Sequence, residues 1–262
     1  MSQEKTCMGR LLRAEKMKYR RSGTDMLWYL LPVLTLAVAF VLSTTYGTVS
    51  AYNWWYVGMY PAMTGLLCCL AAGKDGKMED RAILSLPVPL ARLWDAKVLT
   101  CILWMVKANI LLALAVWITG NFVFPHLGMS QTLQVSLPQA GAAVLVMVVA
   151  GSWQVPLCLS LWRRLGMLPA LLIQMGLTLT GILAAVTPFW MVDPYAILPR
   201  MMCVVIGVLP NNMPARPGNP TFSAELLNPA SLAPGLAISL ALLVLLWCLS
   251  RRWYERKGAA RV

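Results

Sequence analysis

Along the chain, apolar positions gather into long unbroken runs, separated by short polar, charged or proline-bearing stretches. Six runs are close to the roughly 20 residues that a helix needs to cross a bilayer core of about 30 Å: residues 27–46, 54–72, 98–118, 139–161, 166–190 and 231–250. None alternates with the period of two that a barrel strand shows. Backbone groups in lipid must find their partners within the segment, so the runs predict transmembrane helices. The first run is too long for the apolar core of a signal peptide and reads as a retained span. Two further segments carry their own pattern. In residues 8–21, MGRLLRAEKMKYRR, the side chains of Met8, Leu11, Leu12 and Tyr19 share one helical face while basic residues fill the rest. This predicts an amphipathic helix along the inner membrane surface, or a plain charged topology anchor. Residues 198–210 are apolar but too short to cross, and Pro199 and Pro210 bound them. They predict a re-entrant or interfacial element on the outer side, either gating a path or acting as a lid between spans five and six.

Charge orients this arrangement. The 262 residues are 59% apolar and 12% charged, with mean hydropathy +0.66 and a net charge of +12. So apolar a chain does not fit a soluble globule, and so few charges do not fit a nucleic-acid binder. Seven of the 22 Lys and Arg lie in residues 1–26, five in 73–97, two at 163–164 and five in the tail. Arg200 and Arg216 are the two on the opposite side, and Lys107 sits within a span. By the positive-inside rule both termini are expected in the cytoplasm. Tryptophan and tyrosine gather near the span ends (Trp28, Tyr29, Trp54, Trp55, Tyr56, Trp117, Trp162, Trp190, Trp253), as an interfacial belt does.

Little points to catalysis. The seven cysteines form no C-x-x-C pair, and five lie inside apolar runs. A disulfide framework or zinc site is not expected. His126 is the one histidine, and Gly73–Lys77 lacks the spacing of a phosphate-binding loop. An intramembrane protease needs paired acids, a Ser/His pair or a metal cluster in the spans, and the sequence offers none. Lys107 is the one charge deep in a span, a costly position that makes it a functional candidate. Asn109 and Gln154 are the nearest polar residues for a path through the spans. With no carboxylate in the spans, coupling to protons or sodium does not fit. The 74–97 connection, KDGKMEDRAILSLPVPLARLWDAK, has a small apolar knob between charged flanks. It predicts either a docking element for a cytosolic partner or packing against the inner ends of the spans.

The order of these parts, with AEKMKYRR (14–21), AYNWWY (51–56) followed by Pro61, and the 74–97 loop, resembles the ABC-2 class of transporter permeases. Within that class it is similar to lantibiotic-immunity permeases of the MutE/EpiE type. The resemblance implies an all-α, type V exporter-like fold: a connecting helix within residues 1–26, a six-span domain over 27–250, a coupling loop at 73–97 and a cytoplasmic tail at 251–262. It implies a bacterial plasma-membrane subunit that pairs with a second, related permease and two copies of an ATPase, and that removes or exports a lantibiotic-type peptide to protect its producer. The chain itself would be no enzyme and would bind no cofactor; ATP and magnesium would sit on the partner. Arg81, Ile83, Leu84, Leu86, Arg92, Leu93 and Trp94 would touch that ATPase. Outside, residues 119–138 and 191–230 would meet the peptide, with Trp54, Trp55, Tyr56, Trp190, Asp193 and Glu225 as contacts. The alternative is a membrane assembly or anchoring protein that transports nothing.

Overall fold

A computed structural model describes residues 8–43, 46–76, 86–129, 131 and 133–259. Within them the chain is helical, with one isolated bridge between Val208 and Pro214. A short helix α1 (Met8–Met17) precedes α2 (Gly23–Leu42), α3 (Gly47–Gly76), α4 (Leu90–His126), α5 (Leu137–Leu165) and α6 (Met167–Ala184). A second short helix, α7 (Pro194–Ile206), and the terminal α8 (Leu232–Ala259) complete the order. Six of these helices, α2 to α6 and α8, are long and apolar enough to cross a membrane.

Local chemistry sets their limits. Ser136 and Gln139 form a reciprocal capping box at the start of α5. Asp193 caps α7, which stops at Gly207 in the left-handed region (φ 73°). Gly166, at φ 88°, turns the chain from α5 into α6 within one residue, a conformation that a side chain resists. Pro89 opens α4, so Leu90–Lys97, where a helical pattern restarts within the connection, forms the first turns of a 37-residue helix continuous with the span. α3 starts at Gly47, seven residues before the apolar run. Its early polar groups find partners inside the protein: Thr48 Oγ1 donates to Leu133 O (2.6 Å) and Asn53 Nδ2 to Leu209 O (2.9 Å). α6 stops at Ala184, ahead of Pro188, rather than at 190.

The helices divide into an inner and an outer set. In their apolar windows α3 and α5 are each 67% buried and α4 44%, against 17%, 22% and 11% for α2, α6 and α8. Tyr52, Trp55, Tyr56 and Tyr60 of α3 all face the interior, across a π-helical turn at Trp55–Met59. α7 is enclosed by α5, α6 and α8. Gly181 of α6 lets it approach the backbone at Tyr195 of α7 so closely that a methyl group has no room.

Candidate functional site

One end of the bundle gathers α1, the end of α3, the start of α4 and the ends of α5 and α8. Arg163 and Arg164 of α5 lie over the rings of Tyr254 and Trp253, and Asp95 of α4 meets Trp247 and Arg251 of α8. At this basic end a group of buried charges ties α1 to the bundle. Along α1 and the turn after it, Leu11, Glu15 and Tyr19 recur every four residues and turn inward, leaving Arg10, Arg13, Lys16 and Arg20 exposed.

Lys97 stands at the centre. Its Nζ donates to Glu15 Oε1 at 2.7 Å, to Asp75 Oδ2 at 2.6 Å and to the Ala71 carbonyl at 3.1 Å. The Tyr19 hydroxyl donates to the same Glu15 oxygen at 2.6 Å, while its ring meets Trp104 edge-on with centroids 4.9 Å apart. Lys18 closes the group from the rim, 2.7 Å from Glu15 Oε2 and 3.0 Å from Asp75 Oδ1. The Lys97 and Glu15 side chains are only 4% and 5% exposed. Two acids balance two bases, and each carboxylate has several donors, the condition under which charges tolerate burial. Burial by itself would raise the Glu15 carboxyl; Lys97 and Lys18 outweigh it and hold it at about 2. The Tyr19 hydroxyl is pushed well above the ordinary phenol range, first by burial, with the Glu15 charge adding to it and Lys97 opposing.

Deeper in the bundle, polar groups meet without charge. Trp55 Nε1 donates to Asn109 Oδ1 (2.8 Å), and Asn109 Nδ2 to the Met105 carbonyl (2.9 Å). Gln174 Nε2 donates to Gln154 Oε1 (2.7 Å), and Gln174 Oε1 accepts from the Tyr195 hydroxyl (2.7 Å) and the Cys158 thiol (3.3 Å). Asn109 and Gln154 therefore belong to separate pairings, and neither is joined to Lys107. Lys107 is exposed on the outside of α4, its Nζ 5.1 Å from the centre of the Trp28 ring.

The remaining residues singled out from the sequence scatter. Arg81, Ile83 and Leu84 lie outside the described residues. Leu86 is exposed, and Arg92 and Leu93 are half-buried. Trp94 turns into the bundle instead, where its Nε1 donates to Ser250 Oγ (3.0 Å) and its ring lies on Tyr254. At the opposite end Trp54 and Glu225 are exposed and Asp193 is half-buried at the cap of α7. Trp55, Tyr56 and Trp190 are buried. Arg200 of α7 is buried too, over the Trp190 ring and donating to the carbonyls of Ala185 and Glu225. Tyr19 belongs to the apolar face read from the sequence, whereas Glu15, Asp75 and Lys97 enter that reading only through the charge balance that orients the spans. The signal was present in the helical spacing: Glu15 stands four residues from both Leu11 and Tyr19, on the apolar face.

Among the described residues no cluster of three His, Cys, Asp or Glu could hold a metal ion. The arrangement is suited to mechanical and electrostatic coupling between helices. Comparison with protein-family models, with curated proteins and with solved structures finds no match.

Proposed function

We propose that this chain is the membrane subunit of an ABC-2-type transporter in a bacterial plasma membrane, with both termini cytoplasmic, and that it clears a lantibiotic-type peptide from the membrane of its producer. One observation supports this reading above the others. Asp75 and Lys97 flank the connection between α3 and α4; Lys97 pairs with both Asp75 and Glu15 of α1, and Lys18, just past α1, bridges the same two carboxylates. A membrane subunit driven by a separate ATPase needs a stiff element that carries a push from its inner loop into the spans. The charged group makes α1, the end of α3 and the start of α4 such an element. In this reading α1 is the connecting helix, the connection between α3 and α4 faces the ATPase, and α7 with residues 207–231 forms the outer face. A related second permease completes the path. ATP and magnesium belong to the partner ATPase.

The test is reconstitution of the chain with any ATP-binding subunit and any second permease encoded beside it. Addition of a lantibiotic to the proteoliposomes is expected to stimulate ATP hydrolysis, and the Lys97→Met variant is expected to lose that stimulation while the ATPase alone is unchanged. Absence of any complex with the neighbouring ATPase overturns the reading in favour of an anchoring role. A phosphatase reporter placed near residue 128 is expected to be active, and one near residue 80 inactive; the reverse pattern overturns the orientation.

A further inference from the structure

On α4, Lys107, Ile110, Leu114 and Ile118 follow one another at spacings of three and four and are all exposed on the outside of the bundle. Three are aliphatic, as suits a lipid-facing surface. Lys107 is not. Its Cα lies ten residues beyond Lys97, about 15 Å along the helix at 1.5 Å per residue, which is roughly half the thickness of the hydrocarbon core. The side chain leans back towards the start of α4 and rests on Trp28. A ring face attracts a cation but accepts no conventional hydrogen bond, whereas an ammonium carries three donors.

None of the ten Asp and Glu falls within the six apolar runs. A second copy presenting any of its spans to this face therefore brings no carboxylate to the depth of Lys107. One turn further along the same face, a groove of ≈ 300 Å³ opens between α4 and α5, lined by Ile110, Ala113, Leu114, Ala140, Gly141 and Val144. Small residues of this kind let another helix come close in a membrane.

We propose that the Lys107 face of α4 seats a transmembrane helix of a different polypeptide, one that carries a glutamate or aspartate at the depth of Lys107 and lays aliphatic side chains in the adjoining groove. The charge complementarity fixes the chemistry of the occupant, and the groove fixes which side of Lys107 it follows. The inference rests on the surface of the bundle and is independent of whether the protein transports anything.

The probe is a fluorescent poly-leucine peptide of about 20 residues with one central Glu, compared with the same peptide carrying Gln. Each is titrated against the purified chain in phosphatidylcholine vesicles and read by energy transfer. The Glu peptide is expected to bind about tenfold more tightly than the Gln peptide. Lys107→Met is expected to abolish that preference and Lys107→Arg to keep it. Leu114→Trp, which fills the groove, is expected to weaken both peptides and leave their ratio. Equal binding of the two peptides by the wild-type chain overturns the proposal, as does a preference that survives Lys107→Met. Self-association of the chain through this face, or a dependence on Lys107 that shows only when anionic phosphatidylglycerol is added, overturns it too, in favour of a second copy or a lipid headgroup.

Discussion

The basic end and the middle of the bundle solve one problem in two ways. Both bury polar groups among apolar helices. At the basic end the groups are charged, and α1 lies over them: Glu15, Asp75, Lys97 and Lys18 compensate one another. Midway along the spans the groups are amides, an indole and a phenol, paired as Asn109 with Trp55 and as Gln154 with Gln174 and Tyr195. The difference teaches where the cost of desolvation is set. In these two regions charges are kept where α1 brings the counter-charge, and neutral donors and acceptors serve where only other spans are in reach. The charged group is then sensitive to the loss of any member, because a partner removed leaves an uncompensated ion. A lost amide contact leaves a neutral group, which costs less.

That contrast can be broken by substitution. Lys97→Met, which strands Glu15 and Asp75 with only Lys18, is expected to cost about 3–5 kcal/mol. Thermal unfolding in detergent, together with protease cleavage near α1, measures it. Adding Glu15→Gln to that variant should restore much of the loss, since Lys18 and Asp75 then remain as a balanced pair; no recovery would mean that the charges do not compensate as described. Acid should act on the same end. Folding holds the Glu15 carboxyl at about 2 against an ordinary 4.5. Its contribution is whole above about pH 4.5 and drains away as the pH falls towards 2, by about 3 kcal/mol at one pKa unit per 1.36 kcal/mol. A pH titration of the unfolding midpoint should show this decline, and the Glu15→Gln variant should show it much reduced. In the middle of the bundle Gln174→Leu is expected to cost about 1–2 kcal/mol, with no dependence on pH between 4.5 and 2. A loss as large as that of Lys97→Met would erase the contrast. Smallest is Arg251→Ala. Its guanidinium is 45% exposed and 3.6 Å from Asp95, a surface pair whose removal should change stability by no more than about 0.5 kcal/mol.

Much of the architecture is legible in the sequence, and the reason is physical. A span is declared by a continuous run of apolar residues, which is local information, so the six long helices fall on the six runs. The ends are less legible. The start of α3 hides among Thr48, Ser50 and Asn53, whose hydrogen bonds inside the protein make them acceptable in a membrane helix although their hydropathy does not announce it. The start of α4 is partly legible: after Pro87 and Pro89 a helical pattern restarts at Leu90–Lys97 with Leu93 and Trp94, but Arg92, Asp95 and Lys97 keep it apart from the apolar run that it joins. The charged group was hidden for a different reason. Lys97 and Glu15 are 82 residues apart, and no local pattern reports which charges will face each other. Only the position of Glu15 on the apolar face of α1 hinted that it would be buried. Trp94 shows the converse: the resemblance implies an ATPase contact for it, whereas the helix that it joins turns it towards Ser250, in keeping with the alternative of packing against the inner ends of the spans.

The pairing of Glu15 with Lys97 also constrains the order of events at birth. A chain is made from its N-terminus, so α1 is finished while Lys97, the buried counter-ion of Glu15, is still unsynthesised and only Lys18 is at hand. Glu15 must remain in water until two spans have been inserted and the first turns of a third have left the ribosome. The seal at the basic end is thus closed by α4, and the nascent chain stays open on that side until then. A protease-accessible α1 in chains truncated before residue 97, and a protected one in chains that extend past α4, would mark that moment.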